Sequence, residues 1–297
     1  MQTRPLLLLV CLLLAGTAAA QYVQTNVYLF AMEPAGDTSY NLVQPRFLSD
    51  FNSTGYNNQP VFIDNKTLFM TVRKPDMQEP DLYAFDLAKR TQSRVTATPA
   101  GEFSPAPSPD YRSFSAVRME VVGADTALRI WQFPLDRTTN GRPVFKYLTN
   151  VGYYAWVSSR QMAVYVVGPN PTLALANSDT DELQTIAQNP GRCFSRLPSG
   201  NLAYVEKPEF GPWRIMEKNL YRLDTEALPV VNCLPGAEDF AVLRDGTFLM
   251  GQGSKIFQYN RLRHQGWVEL ADLRFYNINN ITRLAVSDDY QIAVVGD

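Results

Sequence analysis

The chain has 297 residues, of which 45% are hydrophobic and 19% are charged, with a formal net charge of −2 at pH 7. This length and composition allow a large buried core, and all-β domains of this size often form one unit. Because the charge is near zero and no long basic stretch occurs, the sequence lacks the electrostatic pattern of a nucleic-acid-binding protein.

The first twenty residues have the three-part pattern of a secretory signal peptide. Residues 1–4 carry one positive charge, residues 6–14 read LLLLVCLLL, and three alanines at 18–20 form a small-residue cleavage site. The apolar run is shorter than the roughly 20 residues that a membrane-spanning helix needs, and no later segment reaches that length. We therefore expect a signal peptide at 1–20, cleavage after Ala20, and a secreted or periplasmic chain without a transmembrane segment; an uncleaved anchor is the alternative.

A hairpin pattern recurs along the rest of the chain: an apolar run, a short polar turn and a second apolar run. The turns lie at Asp64-Asn65, Asp110-Tyr111, Ser159-Arg160, Ser199-Gly200, Asp245-Gly246 and Asp289-Tyr290. Asp-Gly and Ser-Gly supply the positive φ that a two-residue hairpin turn requires. Successive turns are 40 to 49 residues apart, which is the repeat length of a four-stranded propeller blade.

Each of the first five hairpins is followed by a predicted third and fourth strand. The third strands are predicted at 81–89, 128–136, 172–179, 219–226 and 255–262, and the fourth at 93–98, 144–150, 183–188, 227–232 and 267–273. The resulting blades span approximately 55–98, 102–150, 151–188, 190–232 and 236–273.

The sixth hairpin, at 279–297, has only two strands, so a sheet edge would remain unpaired at the end of the chain. Two strands near the N-terminus, at 26–34 and 40–50, resemble the third and fourth strands of the other repeats. We therefore predict that residues 22–50 complete the last blade. The fold class is all-β, and residues 21–297 form a single six-bladed β-propeller domain.

The repeats resemble a known family. The stretches FIDNKTLFMTV, PSPDYRSFSAV and RLAVSDDYQIAVV, each with a strand of the DLYAFDL type, are similar to the TolB-type, WD40-like propeller repeat. The resemblance implies an exported propeller, and we expect the propeller alone, without the additional N-terminal domain of TolB. In this family the propeller occurs by itself or fused to peptidase or cell-wall-binding domains.

Few residues are suited to catalysis or metal binding. His264 is the only histidine, and the repeat pattern places it between a third and a fourth strand, away from the channel mouth. A Ser-His-Asp or Cys-His site needs a histidine, and no Gly-x-Ser-x-Gly motif occurs. We expect no enzyme activity, cofactor or metal site. Cys193 and Cys233 are a candidate disulfide, since export allows one, and two small buried thiols are the alternative.

The candidate binding residues lie on one face of the ring. Eight residues come six or seven positions before the hairpin turns, which places them at the channel mouth: Asn57, Asn58, Ser104, Tyr153, Arg192, Glu238, Asp239 and Arg283. Two arginines beside two carboxylates indicate a ring of ion pairs rather than a cation site.

Aromatic side chains accompany these residues on the connections of the same face. They are Tyr56, Phe103, Tyr153, Tyr154, Phe210, Trp213, Phe275 and Tyr276. The loop KPEFGPWR at 207–214 contains two of them. Aromatic residues and arginine are enriched at binding hot spots. Packing of these rings between blades is the alternative.

These observations predict a non-catalytic, exported and monomeric propeller that binds a protein partner, or a glycan or cell-wall component, through its loop face. The main alternative is a metal-dependent (calcium) hydrolase or lactonase that uses Glu238 and Asp239 at the central channel. A third reading is a structural subunit of an envelope complex. The fold alone does not separate these functions.

Overall fold

The computed structural model describes residues 22–123 and 125–297, and no α-helix occurs within these ranges. The chain enters the fold through two strands, β1 (Asn26–Pro34) and β2 (Tyr40–Phe47). The signal peptide predicted at 1–20 lies outside the described residues. In the part of the chain that the structure describes, no helix is long and apolar enough to span a membrane.

The strands form six four-stranded antiparallel sheets, which we number as blades I to VI. Blade I contains β3 (Tyr56–Asp64), β4 (Thr67–Arg73), β5 (Asp81–Asp86) and β6 (Thr91–Arg94). Blade II contains β7 (Gly101–Pro107), β8 (Ser113–Val122), β9 (Asp125–Pro134) and β10 (Arg142–Pro143). Blade III contains β11 (Val151–Trp156), β12 (Gln161–Val166), β13 (Thr172–Asn177) and β14 (Leu183–Gln188).

The remaining strands form the other three blades, and the last of these closes the ring. Blade IV contains β15 (Pro190–Arg196), β16 (Leu202–Glu206), β17 (Arg214–Lys218) and β18 (Leu228–Asn232). Blade V contains β19 (Phe240–Val242), β20 (Phe248–Gln252), β21 (Lys255–Tyr259) and β22 (Val268–Asp272). Blade VI contains β23 (Ile281–Val286) and β24 (Gln291–Gly296), joined to β1 and β2. Two short 3-10 turns, Asp50–Asn52 and Arg274–Tyr276, precede β3 and β23.

Blade VI contains both ends of the described chain, in the order β2-β1-β24-β23. Strand β1 pairs antiparallel with β24, from Asn26 opposite Gly296 to Ala31 opposite Gln291. This pairing confirms the six-bladed propeller and the predicted closure, because the N-terminal strands occupy the third and fourth positions of the last blade. The hydrogen-bonding edge of β24 is thereby covered rather than left open to solvent.

One apolar cluster fills each of the six interfaces between neighbouring blades. The second strands show why. On β4, Leu68 and Met70 pack towards blade VI, whereas Phe69 between them packs towards blade II. Successive side chains of a strand point to opposite faces of the sheet, so a strand covered on both sides is apolar along its length.

The turn chemistry predicted from the sequence is present at the hairpins. Gly200 and Gly246 have φ of +85° and +81°. Two tyrosines, Tyr111 and Tyr290, take the equivalent positive φ, at +55° and +62°. In the Tyr111 turn, Asp110 stabilises this backbone, because its carboxylate accepts the N–H groups of Arg112 and Ser113 at 2.9 Å each.

The predicted third strand of blade IV at 219–226 is wrong. Strand β17 instead runs from Arg214 to Lys218, and the chain then turns. The carboxamide of Asn219 ends the strand, because its Oδ1 accepts the N–H groups of Tyr221 and Arg222 at 2.8 and 3.1 Å. Such a local bond competes with ladder pairing. The sequence NLYRLD resembles the DLYAFDL strand but follows the strand proper.

Two predicted fourth strands are also displaced. In blade II the pairing is confined to Arg142–Pro143 rather than 144–150, because the carboxylate of Asp181 in blade III accepts backbone N–H groups from Lys146 to Leu148. The segment is therefore bound to the neighbouring blade. In blade I, β6 ends at Arg94 rather than continuing to 98, since the two following N–H groups both converge on the Leu82 carbonyl.

The connections define two faces of the ring. We call the loop face the one that carries the links between blades and the links from second to third strands; the opposite face carries the hairpin turns and the links from third to fourth strands. The innermost strands begin at the loop face. Five of the six pair irregularly with their neighbours close to this end, for example between Asn58 and Val61 in β3 and between Pro190 and Phe194 in β15. Bulges of this kind redirect side chains.

Candidate functional site

A central cavity of about 390 Å³ is lined by all six innermost segments of the ring. One polar residue near the loop-face end of each blade contributes to it: Gln59, Ser104, Tyr153, Arg192, Asp239 and Arg283. Five of the eight residues that the sequence placed at the channel mouth are in this set. Glu238 lies beside it and lines an adjoining pocket together with Lys207 and Trp213.

The ring of Tyr153 lies between two arginines. The guanidinium carbon of Arg192 is 6.0 Å from the ring centroid, and that of Arg283 is 5.8 Å from it. The edge of Tyr165 closes one side of the same ring, with centroids 6.0 Å apart at 84°. An aromatic ring attracts a cation at this distance, so Tyr153 keeps two like charges close to each other at the mouth.

Glu238 joins blades IV and V. Its carboxylate accepts the Nε–H of Arg192 at 2.6 Å and forms an ion pair with the Nζ of Lys207. Burial alone would raise the pKa of Glu238, but the hydrogen bond from Lys207 and the charge of Arg192 outweigh it and hold that pKa below its usual value. Although burial opposes it, the carboxylate likewise raises the pKa of Arg192. Glu238 and Arg192 are therefore both charged at neutral pH.

Asp239 joins blade V to blade VI. Its Oδ1 accepts the backbone N–H of Leu284 at 2.8 Å, and its Oδ2 lies 3.5 Å from Nη1 of Arg283. The Nε–H of Arg283 also donates to Asn58 Oδ1 at 3.1 Å in blade I. Burial raises the pKa of Asp239 in opposition to the neighbouring guanidinium. Burial would lower the pKa of Arg283, but Asp239 and nearby groups raise it. The contacts of Asp239 and Arg283, with Asn58 included, link blades V, VI and I.

Two further polar contacts hold neighbouring blades together near the mouth. The carboxamide Oε1 of Gln59 accepts the N–H of Ser104 at 2.8 Å, which ties blade I to blade II. Between blades IV and V, the Cys193 thiol donates to the Phe240 carbonyl at 3.2 Å and accepts its N–H at 3.3 Å. These contacts fix the relative positions of the innermost strands.

The candidate disulfide is not formed in the structure, where Cys193 and Cys233 are both free thiols. Each packs in the apolar cluster between blades IV and V. Cys193 uses its sulfur for the backbone of Phe240 instead. Burial raises the pKa of Cys233 to about 12 and also raises that of Cys193. The thiols therefore match the alternative of two small buried side chains.

The predicted aromatic residues divide into packed and exposed ones. The hydroxyl of Tyr154 donates to Ser115 Oγ at 2.9 Å between blades II and III. Tyr276 packs edge-on against Phe30, with centroids 5.1 Å apart. Trp213 packs against the cluster between blades IV and V, with the Lys207 ammonium 4.1 Å above its ring. Phe210 and Phe275 of the predicted set project freely into solvent from their loops.

Further apolar side chains are exposed on the loop face. Phe275 lies on the link between blades V and VI, beside Tyr276. Val121 and Val122 lie at the end of β8, and Val167 follows β12. Strands β8 and β9 have 10 residues each, so this hairpin extends the loop face further than the five- to seven-residue second strands of the other blades.

Sequence reasoning missed Arg196 and Lys207 as members of the site. Arg196 ends β15 and lines the cavity with Arg192, but the irregular pairing between Pro190 and Phe194 interrupts the two-residue alternation from which this could be read. Lys207 was visible in the loop KPEFGPWR, where a basic residue precedes two aromatics. Its approach to Glu238 depends on a contact between blades that no local pattern encodes.

The histidine lies apart from the cavity. His264 lies on the link between β21 and β22, on the face opposite the channel mouth, where its Nδ1 accepts the N–H of Asn260 at 3.1 Å. Among residues 22–123 and 125–297, no three His, Cys, Asp or Glu side chains are grouped as metal ligands would be.

No protein-family model matches the chain, and no curated protein matches it in sequence. Its fold does resemble solved structures. A chain of a nidogen/laminin complex superposes with a TM-score of 0.65 at 11% identity, covering 88% of this chain and 97% of that one. A protein described as TolB from Agrobacterium tumefaciens gives 0.64 at 12% identity, covering 92% and 98%.

An enzyme has a similar fold as well. Oligogalacturonate lyase from Vibrio parahaemolyticus superposes with a TM-score of 0.55 at 13% identity, covering 92% of this chain and 97% of that one. At these identities the similarities establish the propeller fold and not the activity, because one fold carries many functions.

Proposed function

We propose that this protein is a non-catalytic, exported propeller that binds a protein partner through its loop face. The observation that carries the proposal is the set of exposed apolar side chains on four separate connections of that face, at Val121–Val122, Val167, Phe210 and Phe275. Several apolar groups exposed around a polar cavity are a feature of interaction sites. The channel mouth, with Tyr153 between two arginines, supplies polar contacts at its centre.

Export rests on the predicted signal peptide at residues 1–20, with cleavage after Ala20. A secreted or periplasmic location follows from that signal peptide. A single mature domain of residues 21–297 and a monomeric state complete the proposal, and a glycan or cell-wall ligand is the alternative class of partner. Free thiols are compatible with export here, because Cys233 is buried, Cys193 is half-buried and the raised pKa of each thiol disfavours the reactive thiolate.

A metal-dependent hydrolase or lyase is the second candidate, and the fold of oligogalacturonate lyase favours it. The geometry of the carboxylates is against it. Glu238 is bound by Arg192 and Lys207, and Asp239 by Arg283 and the Leu284 N–H. A cation would have to displace these basic groups before either carboxylate could coordinate it.

The experiment is affinity capture from the envelope and medium of the source cells, with the mature chain as bait. The test variant is Phe210→Ser with Phe275→Ser, whose side chains are 83% and 88% exposed on the loop face. The control is Tyr111→Ser with Leu262→Ser, which are 91% and 89% exposed on the opposite face. Both variants lose two exposed apolar groups, so they differ in the face that they alter.

The proposal expects one protein to be retained by the wild type and the control, and lost by the test variant. Retention by both variants would contradict a loop-face interface. A calcium-dependent rise in melting temperature that Glu238→Gln abolishes would favour the metal-dependent candidate instead, because calcium binding to the native state stabilises it by mass action.

A further inference from the structure

We propose that the central channel receives a carboxylate group of the partner, an acidic side chain or a chain terminus, between Arg192 and Arg283 at its loop-face mouth. This inference rests on the proposed function, since it names the chemistry by which the loop face would recognise its partner. Three arginines line the cavity, and Asp239 is the single carboxylate among its lining residues in the described part of the chain.

The charge balance at this site differs from that of the whole protein. Including the two residues beside the cavity, four basic side chains (Arg192, Arg196, Lys207 and Arg283) face two carboxylates (Glu238 and Asp239). The cavity and the adjoining pocket together therefore carry an excess of two positive charges in a chain whose net charge is −2. A narrow cleft of one sign between low-dielectric walls concentrates its field on an entering ligand of opposite charge.

The guanidinium groups retain donors for a ligand. Arg192 uses Nε and Nη2 on Glu238, and Arg283 uses Nε on Asn58 and Nη1 on Asp239. Within residues 22–123 and 125–297, the other terminal nitrogen of each has no protein partner, and neither does the guanidinium of Arg196. A guanidinium presents its donors in a planar fork that fits a carboxylate.

The site is also held in place before a ligand arrives. The Tyr153 ring contacts both Arg192 and Arg283, while Glu238 and Asp239 anchor the same two side chains from behind. Such support lowers the entropy lost when a ligand immobilises long side chains. Tyr56, which lies beside the two arginines, stays neutral, because burial raises its pKa to about 12.

The size of the cavity limits how large a group it can bind. A volume of about 390 Å³ lies at the lower end of the range for small-molecule pockets. It admits one side chain or the end of a chain, while the rest of a protein partner would contact the exposed apolar groups outside. Carboxylate insertion at the centre and apolar contact at the rim are thus two parts of one interface.

The test titrates a penta-aspartate peptide into the mature protein at low ionic strength, with penta-asparagine as the uncharged control. Binding is followed by the NMR signals of the arginine Nε–H groups. The variant Arg192→Gln removes the exposed guanidinium group of the mouth, and Glu238 keeps Lys207 as a partner in this variant. Arg222→Gln, an exposed arginine on the opposite face, is the charge-matched control.

We expect penta-aspartate to shift the Nε–H signals of Arg192 and Arg283 and penta-asparagine to leave them unchanged. Arg192→Gln should weaken binding roughly tenfold, the loss typical of a charge-assisted hydrogen bond, and Arg222→Gln should leave it unchanged. Absence of these shifts, or equal weakening by Arg222→Gln, would overturn the inference.

The outcome is separable from that of the proposed function. If the Phe210→Ser and Phe275→Ser variant loses its captured partner while penta-aspartate leaves the channel arginines unaffected, the loop-face interface stands and the carboxylate site is refuted. If the peptide binds with the expected arginine dependence while that variant retains its partner, the carboxylate site stands and the loop-face interface is refuted.

Discussion

Replacement of Phe30 by alanine should destabilise the protein by about 3–5 kcal/mol, because it leaves a cavity in the blade that closes the propeller. Phe30 lies in β1, is fully buried and pairs with Ile292 of β24, so its ring sits on the N-terminal strand that completes blade VI. It packs edge-on against Tyr276 with centroids 5.1 Å apart, a contact that adds about 0.5–1.5 kcal/mol beyond area burial.

The expected loss lies in the upper part of that range. The cluster around Phe30 also includes Leu284 of β23 and Ile256 of β21. Together with β24, residues of three other strands therefore form this cluster with the Phe30 side chain. Strands paired on both sides cannot move far into a cavity, and the cost of a truncation rises with the volume that remains empty.

Equilibrium urea unfolding of residues 21–297 measures the change. The control is Phe275→Ala, which removes the same group from an 88% exposed position that also contacts Tyr276, with centroids 5.4 Å apart. We expect it to cost less than about 1 kcal/mol. Equal losses in the two variants would show that Phe30 is not buried at the closure and would refute the reasoning.

Three further predictions concern the site and its surroundings. Glu238→Gln should lower the free energy of unfolding by about 1–3 kcal/mol at neutral pH. Because the folded-state pKa of Glu238 is lowered, its stabilisation is present above the unfolded pKa of about 4.3 and is lost as the pH falls through the folded pKa. The free energies of unfolding of the variant and the wild type, measured in urea, should therefore converge in acid. Unfolding without reductant should release the thiols of Cys193 and Cys233 to a thiol reagent, whereas a bridge would release neither. Trp213→Ala should lower the free energy of unfolding by about 2–3 kcal/mol, since its ring is partly buried. Phe210→Ala should lower it by less than about 0.5 kcal/mol. If thermal unfolding shows the larger loss for Phe210→Ala, then Phe210 is the packed ring and Trp213 the exposed one.

The fold could be predicted from the sequence largely because its turns carry local information. Asp-Gly and Ser-Gly dictate positive φ within two residues, and Gly200 and Gly246 adopt it. The regular interval between such turns then gives the number of blades. The closure followed from counting strands, since a half blade at one end requires its complement at the other.

The errors occurred where local sequence competes with contacts between blades. NLYRLD at 219–224 has the composition of a strand, yet the side chain of Asn219 ends the ladder. Residues 144–150 likewise have a strand-like composition, but Asp181, more than 30 residues away, binds their backbone. An interaction over that separation leaves no mark on the local pattern.

The candidate site was predictable only in part. Counting back from the turns placed Tyr153, Arg192, Asp239 and Arg283 at the mouth, because the repeat fixes where each innermost strand begins. Which of them pair, and which aromatic rings pack between blades, depends on irregular strand pairing and on partners in other repeats. Tyr276 illustrates this, since its ring is half-buried against Phe30 of the N-terminal strand.

Hydrogen exchange on the complex of the mature protein with its captured partner shows directly which face of the propeller the partner covers. We expect slower amide exchange in the loop-face connections at 207–213 and 273–280, and unchanged exchange in the opposite-face turns at 108–112 and 260–267. Protection confined to the opposite face, or to the outer strands of the blades, would contradict a propeller that binds its partner through the loop face.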